Sequence, residues 1–164
     1  MYVAGVDLAV ARPSAVAVMR GCEAAALTWA RGDWEIVEAA APAAVVAIDA
    51  PLSLPPGGRG LRDVERELRR LGYRLLPPLM GSMRRLTERG IRLSKMFGVE
   101  VIEVHPLTSL KAMGLTRGDL AAHYGVKSRD LVDAIAAALT ALAYLEGGFV
   151  RFGPFVLPTR RVCL

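Results

Sequence analysis

The opening stretch MYVAGVDLAVARPSAVAVMRGCEAAALTWA (1–30) decides how the rest of the chain is read. YVAGVDL (2–8) is an apolar run that reads as a buried strand, broken by a single acid, Asp7, near its end. Arg12, Pro13 and Ser14 supply a turn, AVAVM (15–19) a second strand, Gly21 another turn and AAALTWA (24–30) a third strand. Three short strands in succession predict an antiparallel meander.

Beyond the meander the pattern alternates. DWEIVEAAA (33–41) reads as a helix that starts at Asp33 and stops before Pro42. AVVAIDAPLS (44–53) is too apolar for an edge strand and carries an acid, Asp49, followed by proline. The loop LPPGGRG (54–60) opens into a helix over 61–71, in which Leu61, Val64, Leu68 and Leu71 keep the helical period and Arg62, Arg66 and Arg69 share another face. After Leu76-Pro77-Pro78, a helix capped by Ser82 turns Met83, Leu86, Leu93 and Phe97 inward, with Arg85, Arg89 and Arg92 opposite. VEVIEVH (99–105) alternates as a strand and puts Glu103 on the face of Val99 and Val101. Residues 106–127 read as irregular, a last helix runs from Ser128 to Glu146, and the tail VRFGPFVLP (150–158) leaves room for a final extended piece.

The order is therefore β-β-β-α-β-α-β-α, and its later strand–helix crossovers demand parallel neighbours. The expected architecture is one α/β domain over residues 1–164: a mixed five-stranded sheet flanked by helices, with an arginine-rich helical insertion at 54–97. At 164 residues and 53% apolar composition the chain is long enough to bury a substantial core and too apolar to be disordered. No run of about 18 uncharged apolar residues occurs, which excludes a membrane-spanning helix. The start carries an acid at position 7 and no basic lead-in, so no signal peptide is expected and the cytoplasm is the expected location. Cys22 and Cys163 form no metal or redox motif and read as two unpaired small residues.

The formal charge of +5 is unevenly placed. Residues 59–92 hold ten arginines, no lysine and four acids. Arginine's planar fork suits phosphate, so this segment points to a polyanionic partner; two solvated amphipathic helices would account for the same charge. The aromatic residues are scattered rather than interleaved with these arginines, so duplex or otherwise structured nucleic acid is favoured over a single strand.

Three acids sit in apolar surroundings. Asp7 and Asp49 lie at strand ends dominated by Val, Ile and Ala, and Asp133 lies on the inner face of LVDAIAAALTA (131–141), a helix apolar nearly all round. If the two strands are neighbours and the helix crosses them, the carboxylates converge, repel one another, and persist as anions around a metal ion. All-oxygen ligands suit Mg²⁺ or Mn²⁺, and a pair of such ions would activate water for phosphodiester cleavage. Asp130, one turn earlier, can point the same way or simply complement the helix dipole. Each acid also has an ordinary role open to it: a turn cap for Asp7, an Asx-turn before Pro51 for Asp49, a buried arginine for Asp133, and an arginine for Glu103. His105, before Pro106, reads as structural and His123 as a surface residue.

GVDLA (5–9), AIDAPLSLP (47–55), RDVERELR (62–69), LPPLMGSMRRLTERGIRL (76–93), EVIEVHP (100–106) and LVDAIAAALTA (131–141) together resemble the prokaryotic family called domain of unknown function 429, described as predicted nucleases of the RNase H-like fold. The resemblance spans nearly the whole chain. It implies catalytic, metal-binding roles for Asp7, Asp49 and Asp133. Asp130 sits where RuvC-type resolvases have a second acid three residues before the last, and Glu103 falls in the family's block of Glu, Val, an aromatic residue or His, and Pro, as a second-tier candidate metal ligand. Arg62, Glu65 and Arg69 match the family's arginine–acid–arginine pattern, and with Arg84 they are candidate substrate-binding residues. The implied activity is a divalent-metal-dependent nuclease acting on structured DNA or RNA. RuvC-type enzymes are dimers, which makes a homodimer an expectation although no stretch identifies its surface. Two alternatives stay open: an enzyme acting on a small nucleotide-like substrate, disfavoured by the lack of a Walker-type phosphate loop, and a non-catalytic nucleic-acid-binding domain.

Overall fold

A computed structural model describes residues Met1–Leu164. The meander forms as expected: β1 (Tyr2–Asp7), β2 (Ser14–Arg20) and β3 (Glu23–Ala30) pair antiparallel in succession. The Ala9 N–H donates to Ser14 Oγ at 3.0 Å and closes the first turn. After α1 (Asp33–Ala39), β4 (Ala43–Ile48) returns parallel to β1 on the side away from β2. The arginine-rich stretch then forms α2 (Asp63–Arg70) and α3 (Met83–Ser94) before β5 (Glu100–Glu103) pairs parallel with β4.

Two expectations change beyond this point. Residues 106–127 are not irregular but hold α4 (Pro106–Met113) and α5 (Arg117–Tyr124). Their punctuation is conventional: Pro106 opens α4, Gly114 and Gly125 end the two helices, and Thr116 and Asp119 cap each other at the start of α5. Each helix has only eight residues and little apolar periodicity, which hides it from a pattern search. After α6 (Arg129–Leu145), the tail is a hairpin rather than one extended piece, with β6 (Phe149–Phe152) and β7 (Phe155–Pro158) turning at Gly153-Pro154. β7 pairs parallel with β5, so the mixed sheet has seven strands instead of the five expected, in the order β3-β2-β1-β4-β5-β7-β6.

Helices cover both faces. Val3, Ala17, Val45, Ala47 and Ile102 point toward α6, α4 and α5, whereas Ala4, Val6, Val16 and Ile48 point toward Ile36 of α1 and Leu93 of α3. Every residue of α6 from Val132 to Ala143 is buried. The helix lies so near the sheet that a Cβ on Gly5 would overlap the Ala134 carbonyl oxygen and the Ala138 amide nitrogen, and would sit 2.9 Å from the Ala137 Cβ. Glycine on the strand and alanines on the helix are the residues that permit this approach. No helix is long and apolar enough to cross a membrane.

The cysteines correct another expectation: Cys22 and Cys163 are not unpaired but form a disulfide across a sequence separation of 141, with Cα atoms 5.3 Å apart. Their distance along the chain conceals their proximity. The tail after β7 runs back over the α6 layer, where Val162 joins the core and Arg161 donates to the Met113 and Gly114 carbonyls, and it ends at the β2–β3 turn. Closing a loop of this length restricts the unfolded chain by up to about 5 kcal/mol in the chain-entropy account. Dithiothreitol, or a Cys163→Ser substitution, is therefore expected to lower the urea unfolding midpoint and the Tm by a large margin. An unchanged midpoint would show that the bond contributes little.

Candidate functional site

Parallel pairing places Val6 opposite Ile48, and the Asp49 N–H donates to the Val6 carbonyl at 2.9 Å. Asp7 and Asp49 are consequently neighbours at the carboxyl ends of two central strands, on the face that α6 covers. The close contact at Gly5 fixes α6 over them, so Asp133 and, one turn earlier, Asp130 reach the same place. All four carboxylates line one cleft of about 530 Å³, whose far wall is the loop Ala9–Arg12 and the first turn of α3. The convergence expected for Asp7, Asp49 and Asp133 is present, and Asp130 joins it.

The cluster carries strong internal repulsion. Burial, followed by the charges of Asp130 and Asp133, pushes Asp7 up to about 7 from an ordinary 3.8. Burial and the neighbouring Asp7 and Asp133 likewise push Asp49 well above the usual carboxylate range. Two arginines, neither singled out from sequence, answer the other two acids. Arg117, the first residue of α5, grips Asp133 with Nε and Nη2 at 2.8 and 2.9 Å. Arg12 holds Asp130 at 3.0 Å and keeps that carboxyl below its ordinary range. A buried arginine for Asp133 was one of the ordinary roles open to it. The signal for Arg117 was its place beside the Thr116 cap, visible only once α5 is recognised.

A hard divalent cation can be tested against this donor set. The carboxylate oxygens are of the right chemical type, and Asp7 and Asp49 have no salt-bridge partner to balance them. No group of three or more His, Cys, Asp or Glu side chains is arranged as a ready-made metal cage, because Asp133 and Asp130 are turned into their arginines. The residues therefore fit an ion chemically, with Asp7 and Asp49 open to it and Asp133 available in exchange for Arg117.

Glu103 and the arginine pattern form a separate cluster on the opposite face of the sheet, since Glu103 pairs in register with Ile48 rather than with Asp49. Arg62 lies at the start of α2 and bridges two carboxylates, donating through Nη1 and Nη2 to Glu103 at 2.8 and 2.6 Å and through Nε and Nη2 to Glu65 at 3.0 and 2.5 Å. Glu103 also accepts from the Leu52 N–H at 2.8 Å. All three side chains are at least 95% buried. Removing one member of such a cluster typically costs about 3–5 kcal/mol, because the others stay buried without compensation. Arg62 and Glu65 are thus committed to locking α2 onto β5, and Glu103 is bound into that cluster rather than into the cleft of the four aspartates. Arg69 and Arg84 are exposed, with Arg69 donating to the Leu75 carbonyl at 2.8 Å.

Arg89, expected on an outward face of α3, instead ties that helix to the sheet: it donates to Asp33 at 2.9 Å, to the Arg31 carbonyl at 3.0 Å and to the Ala9 carbonyl. His105 accepts or donates through Nδ1 to Thr108 Oγ1 at 2.7 Å, and burial holds its pKa below 6.5. His123 is exposed, as expected.

The raised Asp7 carboxyl makes stability depend on pH with a definite sign. Between about 3.8 and about 7 the folded protein keeps a proton that the unfolded chain releases, so this group's contribution falls as pH rises through that window. In metal-free buffer, Asp7→Asn is expected to be more stable than the parent by a few kcal/mol at pH 8 and to lose most of that advantage at pH 4. Urea titrations at the two pH values check this, and an advantage independent of pH would contradict it.

Comparison with known proteins bears on the architecture. Two solved structures match over 96% of this chain and 99% of theirs, each at 15% identity: Thermus thermophilus RuvC in complex with a Holliday junction substrate, with a TM-score of 0.57, and Thermus thermophilus RuvC, with a TM-score of 0.52. No protein-family model matches the sequence, and no curated protein matches it. A likeness at this identity concerns the backbone, and it agrees with the strand order, the crossovers and the helix-covered mixed sheet described above: the chain has the RNase H-like fold.

Proposed function

We propose that this protein is a divalent-metal-dependent nuclease that hydrolyses phosphodiester bonds in structured DNA or RNA, and that it belongs with domain of unknown function family 429. The observation that carries the proposal is the pair Asp7 and Asp49, side by side at two strand ends without a counter-ion, under Asp133 and Asp130. Asp7, Asp49 and Asp133 would hold the ion, with Asp130 beside them. Bound Mg²⁺ or Mn²⁺ would supply an activated water and stabilise the leaving oxygen. Arg117 and Arg12 neutralise the two helix carboxylates and so limit repulsion within the cluster.

The arginine-rich insertion at 54–97 supplies the substrate surface in this reading. Arg69 and Arg84 are exposed there, as are Arg59, Arg74 and Arg85, and phosphate contacts of this kind confer affinity with little sequence preference and a steep salt dependence. The RuvC neighbour is described with a Holliday junction, and a junction or another structured nucleic acid is the substrate class we assign. The sheet has two open edges, β3 and β6, at either of which a homodimer could extend it. A cytoplasmic location has to accommodate the Cys22–Cys163 disulfide, a type of bond kept in oxidising compartments and in the cytoplasm of hyperthermophiles. The grip of Arg117 on Asp133 favours a second reading, a nucleic-acid-binding domain without catalysis, because an ion-paired carboxylate needs no metal.

Asp49→Asn separates the two. With Mg²⁺ or Mn²⁺ present, the parent is expected to cleave a four-way junction or a DNA–RNA hybrid and the variant to be slower by more than about 100-fold, while its affinity for the uncut substrate is retained. Equal cleavage rates would refute the site assignment. Binding without cleavage by the parent in both metals would leave the non-catalytic reading.

A further inference from the structure

A second cavity opens beside the carboxylate cleft, between α3, the loop through Leu75 and Leu76, and the ends of β4 and β5. Its volume of about 230 Å³ is below the roughly 300–1,000 Å³ of sites that enclose a whole drug-sized ligand, and it suits a single ring system. Asp49 lines both spaces, as do Met83 and Leu86. A strand with a phosphate at Asp49 therefore has the cavity within reach of the adjoining nucleoside.

The lining is both apolar and charged. Leu75, Leu76, Leu86 and Val104 give it aliphatic surface, and the cluster of Arg62, Glu65 and Glu103 contributes a charged wall, with Asp49, Arg74 and His105 also lining it. Two carboxylates against one guanidinium leave that wall with an excess negative charge, buried beneath the cavity. Glu103 Oε2 accepts one hydrogen bond, from Arg62 Nη2 at 2.6 Å, although a carboxylate oxygen has room for two. The wall calls for N–H donors. A phosphate would be repelled by it, whereas the amino or imino edge of a base would be welcome, and the exposed Arg74 at the rim can stack on a base face.

We infer that this cavity receives one unpaired base of the nucleic acid whose backbone lies at the aspartates, so that the enzyme selects sites where a base is bulged or easily extruded. The inference rests on the nuclease reading and narrows its substrate class. Extruding a paired base costs a few kcal/mol, and a base that is already unpaired avoids most of that cost. This assigns a purpose to the arginine–acid–arginine pattern beyond holding α2 in place: Arg62 and Glu65 shape the acidic wall.

The test uses the full-length protein in EDTA, an end-labelled duplex with a single 2-aminopurine bulge and its fully paired parent, read by anisotropy and by 2-aminopurine fluorescence. Wild type is expected to bind the bulged duplex about tenfold more tightly, equivalent to about 1.4 kcal/mol, with a severalfold fluorescence change as the base leaves the stack. Leu75→Phe and Leu76→Phe, which leave all four aspartates unchanged, fill the cavity from its loop side and are expected to abolish the preference and the fluorescence change while leaving affinity for the paired duplex intact. Equal binding of both duplexes by wild type, or a preference that survives both substitutions, would overturn the pocket and leave the nuclease reading standing. Failure to bind either duplex at low salt would overturn that reading and the pocket with it.

Discussion

The contact between Gly5 of β1 and the backbone of α6 at Ala134 and Ala138 is the constraint on which the rest of the molecule depends. It is possible only because the strand offers no side chain and the helix offers methyl groups. With the helix pressed to the strand, Asp133 and Asp130 are carried over the end of β1, where Asp7 and Asp49 emerge. A larger residue at position 5 would lift the helix, open the core beneath its alanines and separate the carboxylates at the same time. Fold and site are one packing problem here.

The electrostatic consequence is a cluster that resists its own formation. Burial, and then the crowding of four acids in one cleft, raises Asp7 and Asp49 toward protonation, and the fold tolerates the remainder through Arg117 and Arg12. The second acidic cluster, under Glu103, is handled differently. There a single guanidinium is enclosed between two carboxylates, which costs less than leaving either bare. One cluster is poised to exchange partners with solvent and the other is closed. Asp49 stands at the boundary between the cleft and the cavity above the closed cluster, and this position couples the two in any account of substrate binding.

The meander, the crossover to β4 and the buried helix α6 were legible because each has a strong pattern: apolar runs bounded by turn residues, or an alanine-rich helix apolar all round. The acids stood out for the same reason, as polar residues in apolar contexts, and the structure brings Asp7, Asp49, Asp130 and Asp133 together. The short helices α4 and α5 were not legible from periodicity, and without α5 the partner of Asp133 stayed hidden. Alternation along β5 grouped Glu103 with Val101 correctly, but only the register with β4 reveals that this face is opposite the aspartates. Arg62 read as one of several surface arginines because sequence spacing cannot tell a helix-capping position from an exposed one. The disulfide was beyond reach, since Cys22 and Cys163 meet only through the path of the tail.

Isothermal titration of Mn²⁺ into wild type and Asp7→Asn tests the central claim, that these carboxylates form a metal centre. The account predicts binding to wild type at a fixed stoichiometry, lost or greatly weakened in the variant. Equal binding by both proteins, or none by wild type even with uncut nucleic acid present, would contradict it.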